Sequence, residues 1–210
     1  MREITALRKG RGKGKRLNLF IDGRFVFSLE AEVAAKEALE VGQELSSEQI
    51  ERLARSDHFQ RCLSAASRYL NYRPRSESEV RERLQRRGFD GDGIEAVIAG
   101  LKEQGLLDDV VFAQFWKENR ESFSPRSQWL TARELRQKGV ASDVIEQAVA
   151  EVDDGDNAYR AAVSKIHHWK LSDYQDFRRR LGEYLRRRGF GYGVISRTLE
   201  RVWQERESGS

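Results

Sequence analysis

The stretch LQRRGFDGDGI, residues 84–94, decides the fold of this chain because it occurs three times. It returns as LRQKGVASDVI at residues 135–145 and as LRRRGFGYGVI at residues 185–195. The glycines at positions 88, 139 and 189 stand 51 and 50 residues apart, and apolar residues follow each copy at helical spacing. A fixed period over three copies indicates one supersecondary unit used repeatedly, with neighbouring units sharing a core. The sequence therefore predicts a repeat protein.

Each repeat is predicted to contain three helices. In the first, Ser76 and Glu79 form a capping box that opens helix two, and Gly88 suits the end of that helix. The triplet Pro-Arg-Ser of residues 74–76 returns 51 residues later at 125–127, whereas the third repeat lacks it. A period of about 50 residues is too long for a tetratricopeptide or ankyrin repeat. We assign the repeats to residues 58–106, 107–153 and 154–206.

The first 57 residues follow a different pattern. Apolar residues alternate on either side of Asp22-Gly23, a pair that favours a hairpin because both turn positions take positive φ. The result is a predicted antiparallel sheet of two or three strands, which must pack on a helix to be stable. Ser46 and Gln49 form a further capping box, which opens a helix joining the sheet to the repeats. The predicted fold class is mainly α: tandem three-helix repeats in an elongated array behind a small N-terminal β-hairpin or sheet.

Composition and motifs argue against several function classes. Cys62, the single cysteine, excludes an internal disulfide framework and suits a reducing cytoplasm, and we expect it in the core. No apolar run is long enough to cross a bilayer. The three histidines lack partners at zinc spacing, and Asp108-Asp109 is better explained as a helix cap than as a catalytic pair. We therefore predict a cytoplasmic protein that is not an enzyme and has no metal, cofactor, membrane or small-molecule partner.

The charge distribution indicates a polyanion as a binding partner. The net charge is only +4, yet residues 1–28 carry a balance of +6, residues 29–57 one of −5 and residues 154–210 one of +4. A flexible tip at residues 8–16 holds six basic side chains and three glycines, but it lacks the GK[ST] ending of a phosphate loop. We predict weak, non-specific DNA contact through these side chains. They are Arg8, Lys9, Arg11, Lys13, Lys15 and Arg16.

Basic residues also recur inside the repeats. Arg87, Lys138 and Arg188 each precede a repeat glycine, and Arg75 and Arg126 stand at the entry to helix two. One cation per helix end complements the helix dipole, a contribution of a few tenths of a kcal/mol. In a stacked array, equivalent positions align as a stripe along one face. We expect these five side chains to face a polymeric partner, and we expect Arg75, Arg126, Lys138 and Arg188 to be exposed.

The chain resembles the RecX regulatory family over most of its length. The resemblance is carried by RPRSESEVRERLQRRGF (73–89), GLLDDVVFAQFWKENR (105–120), PRSQWLTARELRQKGV (125–140) and the hairpin DGRFVFSL (22–29). Its most specific parts are LDD-x-x-FA at 107–113 and ELRQKGV at 134–140. The resemblance implies a curved array of three-helix repeats that lies in the groove of the RecA–DNA filament. It also implies a modulator of RecA in DNA repair, recombination and the SOS response, usually an inhibitor, and not an enzyme.

Two other interpretations fit the residues. Three-helix units resemble helix-turn-helix modules, which would make the chain a sequence-specific DNA-binding regulator. A helical solenoid could instead be a scaffold for an acidic protein. The first predicts strong discrimination between cognate and random duplex, and the second predicts no salt-dependent DNA binding.

Overall fold

The computed structural model describes residues 1–10, 16–167, 169 and 173–208. The chain divides into two compact units, of which the first contains Met1–Arg73 and Val80–Leu106. The second contains Pro74–Glu79 and Leu107–Ser210. Both units are mainly helical, and the first carries a small antiparallel sheet, which confirms the predicted mainly α class with a small N-terminal sheet.

Four strands form the sheet of the first unit. They are β1 (Arg2–Lys9), β2 (Arg16–Ile21), β3 (Arg24–Glu30) and β4 (Glu44–Leu45), in the order β3-β2-β1-β4 with every pair antiparallel. Asp22 and Gly23 join β2 to β3 with φ of 49° and 75°, so the predicted hairpin turn is confirmed. The fourth strand was missed because two residues are too few to show alternation.

The sheet packs on two helices, as its small size requires. These are α1 (Ala31–Lys36) and α2 (Ser47–Leu70), and their contacts bury Leu19, Val33 and Leu53 in one core. Ser46 and Gln49 form the predicted capping box at the start of α2. This helix contains no glycine or proline, and it continues unbroken past residue 57, where the sequence suggested a boundary between the N-terminal region and the first repeat.

The first repeat combines α2 with α3 (Glu77–Gln85) and α4 (Gly91–Glu103). Helix α4 packs against α2, and its buried face matches the predicted helical spacing. Cys62 is fully buried, and burial raises the pKa of its thiol from 9.0 to about 11, so the expectation of a core cysteine is confirmed.

The second unit contains two further three-helix sets. The helices are α5 (Asp109–Phe123), α6 (Gln128–Gln137), α7 (Ser142–Val149), α8 (Asp154–Ile166), α9 (Tyr174–Arg187) and α10 (Tyr192–Ser208). Phe112 and Leu135 anchor one core, and Phe177 and Leu185 anchor the next. Asp108 accepts hydrogen bonds from the first amides of α5, which confirms its predicted capping role.

Candidate partner interface

The repeated serine and the repeated glycine meet at junctions between helices within the second unit. The Ser76 hydroxyl donates to the carbonyl oxygen of Lys138 at 2.7 Å, and the Ser127 amide donates to that of Arg188 at 3.1 Å. Both serines are fully buried, and their hydroxyl oxygens also accept from the amides of their own helices. Each Pro-Arg-Ser element therefore caps its own helix and contacts the end of helix two in the following repeat.

The glycines at these junctions are required for close approach as well as for helix termination. A Cβ atom on Gly139 would lie 2.5 Å from the Cβ of Ser78, and one on Gly189 would lie 2.5 Å from the Oγ of Ser127. Gly88 has a similar φ of 80°, but a Cβ there would meet nothing within 4 Å. The repeat glycine thus has two roles at positions 139 and 189 and one role at position 88.

Lys138 takes part in its junction through its side chain. Its ammonium group lies 2.7 Å from the carboxylate of Glu79 and 4.4 Å from the ring centre of Trp116. Only 22% of the side chain is exposed. An ion pair and a cation–π contact in a partly desolvated place both stabilise the unit.

Arg126 belongs to a cluster around one carboxylate. Glu134 accepts from the indole nitrogen of Trp116 at 2.9 Å and from Arg120 at 2.7 Å, and it also pairs with Arg126. The Arg126 side chain is 29% exposed, and the pKa of its guanidinium is lowered first by desolvation and then by Arg120 and Arg188. With two arginines paired to a single carboxylate, this part of the surface retains positive charge.

Arg188 lies beside the same cluster. Its guanidinium donates to Ser124 Oγ at 3.0 Å and to the Pro125 carbonyl oxygen at 2.9 Å, and it lies 4.6 Å from the ring centre of Tyr184. Arg126, Arg187 and Arg188 together line a cleft of about 250 Å³ with Ser124 and Tyr184.

The expectation that Arg75, Arg126, Lys138 and Arg188 are exposed was wrong. Arg87 is exposed, whereas Arg75, Arg126, Lys138 and Arg188 are partly buried. The physical reason is that Gly139 and Gly189, which follow Lys138 and Arg188, pack against the capping region of the preceding repeat, whereas no atom of the described residues lies within 4 Å of the corresponding position at Gly88. Arg126, Lys138 and Arg188 contact carboxylates, carbonyl oxygens or aromatic rings at these junctions.

A second basic cleft lies in the first unit. It has a volume of about 550 Å³ and is lined by Arg16, Glu30, Arg61, Ser64, Ala65, Arg68, Arg87 and Phe89. Arg61 and Arg68 were not identified from the sequence. The available signal was their spacing of seven residues, which places both on one face of a helix.

The predicted phosphate-contact residues divide into three groups. Arg8 and Lys9 are exposed, and the Arg8 guanidinium lies 5.1 Å from the ring centre of Phe20. Arg16 instead pairs with Glu30 at 3.1 Å and with Asp57 at 3.2 Å. The remaining three, Arg11, Lys13 and Lys15, lie outside the described residues.

In the described ranges, no group of three or more His, Cys, Asp or Glu side chains is placed to hold a metal ion. The same ranges contain no helix with the length and hydropathy to cross a membrane. Trp129 is 61% exposed, and the Arg133 guanidinium lies 5.5 Å from its ring centre.

Comparison with known proteins connects these features to a family. Three family models match: the Regulatory protein RecX N-terminal domain at residues 2–46, and the first and second RecX three-helix domains at residues 62–101 and 108–149. The Regulatory protein RecX of Clostridium botulinum (strain Alaska E43 / Type E3) is 30% identical over 93% of this chain and 93% of its own length. This chain belongs to the RecX family of regulatory proteins.

Further RecX proteins extend the similarity. The Regulatory protein RecX of Lactobacillus gasseri is 31% identical over 97% of this chain and 76% of its own length. A crystal structure of regulatory protein RecX matches with a TM-score of 0.68 at 23% identity, covering 93% of this chain and 98% of that one. RecX from Lactobacillus salivarius matches with a TM-score of 0.59 at 21% identity, covering 70% of this chain and 97% of that one. These two structures share the fold.

Proposed function

We propose that this RecX-family chain binds the RecA filament on DNA and lowers its ATPase and strand-exchange activities, as part of DNA repair, recombination and the SOS response. The observation that carries the proposal is family membership over nearly the whole chain. The repeated cations add support, because a partner with a regular spacing suits a chain whose basic residues recur about every 50 residues.

The partly buried cations would contribute orientation more than affinity. Arg126, Lys138 and Arg188 are held in place by contacts inside the unit, so a partner would meet guanidinium and ammonium groups that are already ordered. Charged groups arranged in this way favour correct registration with an oppositely charged surface. Arg75 and Arg87 complete the proposed filament-contact set. The protein would act without catalysis of its own, in the cytoplasm.

The decisive experiment is RecA ATPase on single-stranded DNA, with and without the wild-type chain. We expect inhibition at far less than one molecule per base, because one array would span neighbouring RecA protomers. Unchanged ATPase and strand exchange at micromolar protein would refute the proposal.

The proposed contact residues must be tested with variants that do not disturb the fold. Reversing Arg126 or Lys138 to glutamate would place a new carboxylate beside Glu134 or Glu79, so loss of inhibition could reflect misfolding. Arg87→Gln is a cleaner test, with Arg86→Gln as its control. Both side chains are exposed and carry the same charge, but Arg86 pairs with Glu82 at 2.8 Å. We expect only the first variant to weaken inhibition.

DNA affinity is proposed to be weak, tolerant of sequence and strongly dependent on salt. Clustered Arg and Lys side chains release counterions from phosphates, so affinity falls as salt rises. Neutralising Arg11, Lys13 and Lys15 together should flatten the dependence, and Arg16 is left unchanged because it pairs with Glu30 and Asp57. An unchanged slope in a salt titration would exclude the N-terminal tip from DNA contact, and strong preference for one duplex sequence would favour a helix-turn-helix regulator instead.

A further inference from the structure

The three equivalent ends of helix two have different surroundings. Gly139 and Gly189, which follow Lys138 and Arg188 in the sequence, each pack against the capping region of the preceding repeat. The first repeat has the same sequence pattern at Arg87-Gly88, but nothing lies within 4 Å of the position that a Cβ on Gly88 would take. Arg87 is exposed there and faces the cleft of about 550 Å³ in the first unit. Within the described part of the chain, no capping element therefore packs beside Gly88 as one does beside Gly139 and Gly189.

The cleft has unpaired positive charge. Arg61, Arg68 and Arg87 are exposed, and none of the three forms an ion pair within the described part of the chain. The cleft's own carboxylate, Glu30, is paired with Arg16. Three guanidinium groups thus line one cleft without an internal counterion.

The spacing of these groups suits an extended anion. Arg61 and Arg68 are seven residues apart on α2, which corresponds to about 10 Å along the helix axis. Each strand of duplex DNA carries one charge per about 3.4 Å of helix axis, and the phosphates of an extended single strand lie farther apart, so a length of about 10 Å accommodates more than one phosphate of either. A single small anion would not reach both ends.

We propose that the cleft formed by Arg61, Arg68 and Arg87 binds the phosphate backbone of single-stranded nucleic acid. Guanidinium groups bind phosphate oxygens through paired hydrogen bonds. Ser64 and the half-buried ring of Phe89 also line the cleft and supply a hydroxyl and an aromatic surface. A basic groove with an aromatic surface is the combination found in single-strand binding sites, and this favours nucleic acid over an acidic protein segment.

The inference deepens the DNA contact of the proposed function, on which it rests, by adding a second, defined site to the contact at the N-terminal tip. It can be tested without RecA, so its failure is separate from failure of the filament proposal. The test measures fluorescence anisotropy of a labelled oligo-dT strand titrated with the full chain at several salt concentrations. The variant is Arg61→Gln/Arg68→Gln/Arg87→Gln.

The control variant is Arg52→Gln/Arg136→Gln/Arg197→Gln, which changes the same charge at three exposed arginines outside the cleft. Far-UV circular dichroism of both variants checks that the fold is kept. Losing three phosphate contacts should reduce the magnitude of the negative slope of log affinity against log salt by about 2. It should also weaken binding about tenfold at moderate salt. The control should keep the wild-type slope to within a few tenths.

Three outcomes would overturn the inference. The first is that both triple variants lose the same affinity, which would mean that net charge alone governs binding. The second is tighter binding of a duplex of the same length, which would exclude a single-strand site. The third is that labelled poly-glutamate binds with the same dependence on the three arginines while oligo-dT does not, which would assign the cleft to an acidic protein.

Discussion

Replacing Gly139 with alanine tests the junction between repeats, and Gly88→Ala is its natural reference. Both glycines have φ near 80°, at 76° and 80°, so each alanine has the cost of a left-handed conformation, about 1–2 kcal/mol. At position 139 the new Cβ would also lie 2.5 Å from Ser78 Cβ and 2.8 Å from Ser78 Oγ. Relieving such an overlap typically costs a further 1–3 kcal/mol. We expect a loss of about 2–5 kcal/mol for Gly139→Ala and about 1–2 kcal/mol for Gly88→Ala.

The assay is urea unfolding followed by far-UV circular dichroism, with tryptophan fluorescence as a second probe of the second unit, which holds all four tryptophans. Ser78→Gly removes both atoms that the alanine would meet. In that background, the additional cost of Gly139→Ala should fall towards the cost at Gly88. Equal losses at the two glycines, or no relief in the Ser78→Gly background, would refute the close-approach explanation.

Three further outcomes follow from individual contacts. Ser76→Ala should lower the free energy of unfolding in urea by about 2 kcal/mol, because it removes a helix cap and the hydrogen bond to the Lys138 carbonyl oxygen. Ser127→Ala should lower it by about 1 kcal/mol, because the hydrogen bond to Arg188 comes from the Ser127 backbone amide and is kept in the variant. Glu134→Gln should cost about 2 kcal/mol in the same assay, because its 11%-exposed carboxylate pairs with two arginines. Because the pKa of the Cys62 thiol is raised to about 11 in the folded chain, the stability that the thiol contributes is present below pH 9.0 and is lost as pH rises through about 11. Between about pH 8 and 11 the wild type should therefore lose more stability than Cys62→Ala.

Short sequence patterns predicted much of the local structure of this chain without any information about its tertiary fold. The capping boxes at Ser46 and Ser76 and the Asp22-Gly23 turn depend on residues within a few positions of one another, and the three-helix period is the recurrence of such a short pattern about every 50 residues. Such patterns are readable because propensity and capping act over one helical turn. The RecX resemblance depended on the same local segments.

The tertiary structure alone decided which charges are free. Arg87, Lys138 and Arg188 occupy equivalent sequence positions, yet only Arg87 is exposed, because the other two lie at junctions with a preceding Pro-Arg-Ser element. Arg16 appeared to belong to the basic tip but pairs with Asp57, 41 residues away. Whether a cation is exposed depends on residues that are distant from it in the sequence, so the residues next to it in the sequence do not identify its partners. The repeat glycine shows the same division, since its helix-ending role is local but its close approach to a neighbouring repeat exists only in the folded chain.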